Sequence, residues 1–134
     1  MVKLLGVLVL FVGLSASATE DVCEYDSQAA MNQCAAQSYK KADDALNMTW
    51  VELRVCKINS KEEWNMIVKS QKAWIQFKET QCEYEASLDW GIELRGSGWP
   101  LGYFGCLETM TKERTAFLQQ QFVDCYEHSE PGEM

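Results

Sequence analysis

Few residues in this 134-residue chain could carry out chemistry, and their spacing points away from catalysis. His128 is the only histidine, and it falls in a last helical turn or in the tail. A Ser–His or Cys–His pair needs an imidazole held rigidly against its nucleophile, and nothing near His128 would hold it. No Gly-rich phosphate loop, H-E-x-x-H or C-x-x-C-H pattern occurs. The 20 acidic residues could in principle supply a glycosidase-like carboxylate pair, but each sits naturally on a solvated helix face. The reading is a chain with no catalytic residues and no cofactor, hence a binding protein rather than an enzyme.

The remaining reactive residues are six cysteines, Cys23, Cys34, Cys56, Cys82, Cys106 and Cys125. Zinc would want a C-x2-C or H-x3-H spacing, and neither exists, so no metal site is expected. In a small exported chain such a set reads as a disulfide framework. Export is indicated by the N-terminus: Lys3, the apolar run Leu4 to Leu14, then Ser15-Ala16-Ser17-Ala18 as a cleavage site. The run of 11 residues is shorter than the roughly 20 that span a bilayer. Cys23 follows Glu20-Asp21-Val22, which does not suit lipid attachment. Residues 1–18 are therefore expected to be a signal peptide, leaving 116 (134 − 18) residues without a membrane anchor. They make one domain, 19–128, and a disordered tail, 129–134. Without Lys3 the charge is 11 basic minus 20 acidic, or −9. That excess disfavours nucleic acid and anionic membranes, and it suits either a cationic partner or plain solubility.

Hydrophobic spacing predicts the scaffold: three long helices. The first covers 27–57, with Ser27 as N-cap and an inner stripe Met31, Ala35, Tyr39, Ala42, Leu46, Trp50, Leu53. The second covers 61–90, opened by the capping box Ser60-Lys61-Glu62-Glu63, with Trp64, Ile67, Gln71, Trp74, Lys78 and Cys82 on one face. The third covers 101–127 after Pro100, along Tyr103, Leu107, Met110, Arg114, Phe117, Gln121 or Phe122, and Cys125. Short links make neighbours antiparallel, so the expected fold is an all-α up-down-up bundle, with room for a fourth short helix. That topology gathers Cys23, Cys34, Cys82 and Cys106 at one pole and leaves Cys56 with Cys125 at the other. At the crowded pole, Cys23–Cys34 is the pair near in sequence, and Cys82–Cys106 closes the Gly-rich loop.

Two constellations stand out on this scaffold. Gln71 and Arg114 fall on apolar stripes, and buried polar groups need partners, which Asp43 and Asn47 of the first helix could supply. The four read as a structural polar network. Arg95, Ser97 and Trp99 belong to the loop beside the Cys82–Cys106 staple, and an aromatic on a pinned loop makes a binding anchor. Trp99 would serve equally well folded back as a plug for the end of the bundle. Asn47-Met48-Thr49 matches a glycosylation pattern, but its mid-helix position reads as chance.

The same residues resemble the lysozyme-inhibitor LprI N-terminal family of small exported bacterial domains. The first block is Cys23, Ser27-Gln28, Met31-Asn32-x-Cys34, Tyr39, Ala42-Asp43 and Leu46-Asn47. The second is Gln71-Lys72-Ala73-Trp74-Ile75-x-Phe77-Lys78-x-x-x-Cys82, and the third is Gly96-Ser97, Cys106-Leu107, Thr111 and Arg114-Thr115-x-x-Leu118. Together they cover nearly the whole mature chain. Lys78-Glu79 stands where the family has Arg-Asp, which puts in doubt a bidentate ion pair to the third helix, because Lys lacks the guanidinium fork. Trp50 replaces a common Tyr, Ala30 replaces an acidic residue, and the Cys56/Cys125 pair is additional. The cysteine gaps of 10, 21, 25, 23 and 18 residues fit neither insect odorant-binding proteins nor saposin-like domains.

The resemblance implies a lysozyme inhibitor in the bacterial periplasm or extracellular space. An acidic surface would steer a basic enzyme, and the loop of Arg95, Ser97 and Trp99 would enter its sugar-binding cleft. The alternative is a structural or immunity-type partner of another envelope protein, with no effect on lysozyme. An enzyme acting on cell-wall material is disfavoured by the lone His128.

Overall fold

Ser27 opens the first helix as its sequence position predicts: its Oγ accepts from the Ala30 amide at 3.1 Å and its carbonyl from the Met31 amide at 3.0 Å. The computed structural model describes residues 26–57, 59–90 and 96–127, with side chains described through 89 in the second stretch and 121 in the third. Three helices account for nearly all of them: α1 (Gln28–Lys57), α2 (Lys61–Trp90) and α3 (Trp99–Glu127). No fourth helix occurs among the described residues. The third begins two residues earlier than predicted, with Gly102 N donating to Gly98 O at 3.3 Å. Pro100 thus lies inside the first turn, where its missing N–H and fixed φ carry no penalty.

The topology is up-down-up, and α3 is the central element. Asn32 lies beside Ser97 and Tyr39 beside Phe104, so α1 and α3 run parallel. They make the most extensive helix–helix contact, α2 packs antiparallel on α3, and α1 and α2 scarcely approach. Side-chain size explains this order. Cys34, Ala42 and Thr49 of α1 and Thr111 and Thr115 of α3 are buried; such small residues let two backbones come close. Between α1 and α2, Trp50 packs on Trp64 with centroids 5.0 Å apart, and Lys78 reaches Tyr39, so bulk holds these helices apart.

The core proper is small: Leu46, Leu53 and Leu118, with Trp50, Ile67 and Trp74 packed against it. One helix face differs from its predicted stripe. Phe117 is 55% exposed while its neighbour Leu118 is 2% exposed. A central helix must satisfy two neighbours, so α3 buries Leu107, Thr111, Thr115 and Leu118 in addition to turning Cys106, Met110 and Arg114 towards α2.

Thr111 illustrates the cost of this small-residue seam. Its hydroxyl is fully buried without a hydrogen-bond partner, whereas Thr115 Oγ1 donates to the Thr111 carbonyl at 2.8 Å. Thr111→Val keeps the shape and removes the unpaired hydroxyl, so a gain of about 1 kcal/mol in urea unfolding is expected.

Candidate functional site

The pole where α2 ends and α3 begins carries Cys34, Cys82, Ser97, Trp99 and Cys106 of the residues singled out in the sequence. Cys82 and Cys106 are disulfide-bonded, with Cα atoms 5.5 Å apart. Cys34 and Cys56 are disulfide-bonded as well. Cys23 lies outside the described residues, as does the side chain of Cys125. Ser97 is exposed, and its carbonyl accepts from Asn32 Nδ2 at 2.8 Å, which ties the connection to α1. Arg95 and His128 lie outside the described residues.

Trp99 takes the second of the two places open to it. It is 8% exposed, stacked on Tyr103 at 4.7 Å, with Nε1 donating to Ser87 Oγ at 3.5 Å. As first residue of α3 it closes the end of the bundle and is not available as an exposed anchor.

From Trp99 a chain of rings and cations runs into the bundle. Tyr103 packs on Phe104 at 5.6 Å, and Phe104 stacks on Tyr39 at 6.1 Å. Lys78 Nζ lies 5.1 Å from the Tyr39 centroid and 4.8 Å from that of Trp74. Arg114 lies 5.7 Å from Trp74 and 5.3 Å from Phe117. Such contacts let a cation enter a desolvated interior without a carboxylate, and none among the described residues pairs with Lys78 or Arg114.

Arg114 Nε donates to Gln71 Oε1 at 2.9 Å and its NH2 to Ser70 Oγ at 3.3 Å, joining α3 to α2. Burial pushes the guanidinium below its usual pKa, though a guanidinium stays charged at neutral pH. Asp43 and Asn47 instead pair along α1, Asn47 Nδ2 donating to Asp43 Oδ2 at 3.3 Å. The four residues thus form two separate pairs. One member of each pair, Asn47 and Gln71, lines a groove of about 320 Å³ between α1 and α2, together with Trp50 and Trp64.

Lys78 does not bridge to α3. It is 3% exposed, and Nζ donates to the Tyr39 hydroxyl of α1 at 3.0 Å. Its aliphatic stem fills space between α1 and α2 that no backbone approaches. Lys78→Ala is therefore expected to lose about 2 kcal/mol in denaturant unfolding, whereas Lys78→Met, which keeps the volume, stays within about 1 kcal/mol of the native chain.

Of the polar and aromatic residues in the pattern read from the sequence, Gln71, Lys78, Thr111 and Thr115 are buried and Tyr39, Trp74 and Arg114 half-buried, whereas Asn47 and Phe77 are exposed. Among the described residues no three His, Cys, Asp or Glu side chains converge to hold a metal ion, and no helix is long and apolar enough to cross a membrane.

A family profile described as lysozyme inhibitor LprI matches residues 20–118. The chain belongs to the LprI family. An uncharacterised protein of Rhizobium meliloti (strain 1021) is 33% identical over 106 residues, covering 70% of this chain and 73% of the relative. No solved structure matches. LprI proteins are an exported bacterial family of inhibitors, which implies a protein partner. In this LprI chain the family match spans α1, α2 and α3 through Leu118, and so includes the ring-and-cation chain and the staple. Sequence reasoning missed the outer surface of α2, where large apolar side chains at Phe77, Tyr84 and Leu88 stand in solvent. Their spacing of 7 and 4 residues was the signal that could have found them.

Proposed function

We propose that this LprI-family chain is an exported protein that binds and inhibits lysozyme, working in the periplasm or outside the cell after removal of residues 1–18. The family match carries this reading, and the charge of −9 expected for the mature chain supports it. A basic enzyme is drawn to an acidic surface by long-range attraction that salt screens. Inhibition then needs only a rigid body that covers the enzyme's cleft, which agrees with a chain whose polar interior is structural. Dose-dependent slowing of cell-wall hydrolysis by c-type lysozyme, weaker at physiological than at low salt, is the expected result for the oxidised mature protein. No inhibition at micromolar excess, with helicity intact, would overturn it and favour a different envelope partner.

The rigid body rests on the full disulfide framework, for which Cys23–Cys34 and Cys56–Cys125 are the pairs proposed here. Cys34 and Cys56 are 22 residues apart on one continuous helix, about 33 Å, and so do not bond one another. Cys23 stands five residues before α1, within about 18 Å of its start, whereas Cys56 lies about 42 Å along it. Peptide mapping without reduction should recover these two cross-links beside Cys82–Cys106; a Cys23–Cys125 peptide would refute them.

A further inference from the structure

The outer face of α2 is apolar where a solvated helix should be polar. Met66, Phe77, Tyr84 and Leu88 are 66%, 57%, 58% and 64% exposed. Their spacing of 11, 7 and 4 residues places them within about 40° of one line along the helix. Phe117, 55% exposed, stands on neighbouring α3. Solvated helices seldom carry such a stripe, and one framed by polar residues marks an interaction surface.

Lys69 stands one turn from Met66 and Arg114 lies over the Phe117 ring, whereas near Tyr84 and Leu88 the frame of this stripe is negative. A groove of about 390 Å³ runs beside it between the C-terminal half of α2 and α3, lined by Glu85, Asp89, Gly105, Thr109 and Glu113. Leu88 lies one turn from Glu85 and next to Asp89, and Phe117 one turn from Glu113. Glu85 accepts from Gln81 Nε2 at 2.8 Å, but no Lys or Arg among the described residues pairs with the three acids. The last turn of α2 holds no basic residue, so its acids also face the unfavourable end of the helix dipole. The carboxylates do not converge tightly enough for a metal ion. Gly105 keeps the groove open in mid-helix, where glycine weakens a helix, although a Cβ there would meet nothing within 4 Å. Fold stability therefore does not require a glycine at that position.

We infer that this α2–α3 face is the surface that docks the cationic partner: Phe77, Tyr84 and Leu88 cover apolar surface, and the groove receives a lysine or arginine side chain. The inference rests on the lysozyme reading and names its contact face, in place of the loop of Arg95, Ser97 and Trp99. Charge complementarity selects the occupant, since an apolar strip edged by unpaired carboxylates disfavours neutral or acidic partners.

The test measures calorimetric binding of the full mature protein to c-type lysozyme at low salt. Three variants address the face: Tyr84→Ser with Leu88→Ser; Glu85→Gln with Asp89→Asn and Glu113→Gln; and Gly105→Arg, which plugs the groove with the chain's own cation. Each is expected to raise Kd at least tenfold with helicity unchanged. A control on α1, Asp43→Asn with Asp44→Asn and Glu52→Gln, removes the same charge and should cost less than threefold. Groove variants that bind like the native chain, or a control that loses as much, would overturn the inference and leave the lysozyme reading standing. A native chain that does not bind lysozyme overturns both. If a variant does not fold, hydrogen exchange on the native complex decides: protection over residues 77–113 supports the face, and protection confined elsewhere refutes it.

Discussion

Replacing Cys82 and Cys106 together by serine is expected to lower stability by about 3.5 kcal/mol. That figure is the loop-closure entropy of a bridge spanning 24 positions. For a domain near 100 residues this corresponds to a fall in melting temperature of about 15 °C. The effect should be concentrated in α2, for a structural reason. α2 has little direct contact with α1 and is held by α3, the staple and a few long side chains. In the serine variant, hydrogen exchange over residues 79–90 should rise first, while α1 and α3, joined by their small-residue seam, keep protection nearer the global value. A melting temperature lowered by less than about 5 °C, with α2 protection unchanged, would show that packing alone holds that helix.

The second large effect belongs to the opposite half of the bundle. Leu53 is completely buried and forms the core cluster with Leu46 and Leu118. A core of three leucines has little surrounding material to relax into a void, so Leu53→Ala should cost about 3 kcal/mol. Its near neighbours on α1 are the comparison. Val51 and Val55 are 61% and 68% exposed, and alanine at either should change stability by no more than about 0.5 kcal/mol. Chemical denaturation of the three variants checks the assignment of α1's inner face. A loss at Val55 equal to that at Leu53 would mean the outer face is covered in solution.

Much of the scaffold could be read directly. The Ser27 cap, the Ser60 start and the end of α1 at Lys57 follow from local hydrogen bonding and side-chain type, which act over a few residues. The Cys82–Cys106 bridge followed from topology, because short links leave few ways to arrange three helices. The site was less legible. Trp99 could be read as anchor or plug, since a sequence does not say whether a loop aromatic finds a ring to stack on; Tyr103 supplies it. Gln71 and Arg114 were seen to need partners, but which groups met them depended on helix rotation, and they met each other across α2 and α3.

Sequence by itself determined that this chain is all-helical, disulfide-stapled and acidic, because periodicity, cysteine spacing and residue counts are properties of the chain alone. Only the tertiary structure decided which helix stands at the centre. It made the parallel pair α1 and α3 the closest, through small residues that no periodicity distinguishes from solvent-facing ones. With α3 central, Gln71, Lys78, Thr111 and Thr115 turned inward, and Phe77, Tyr84 and Leu88 were left outside beside Glu85, Asp89 and Glu113. Which face of a helix is left without a neighbour depends on how the others pack, and packing is a property of the whole assembly.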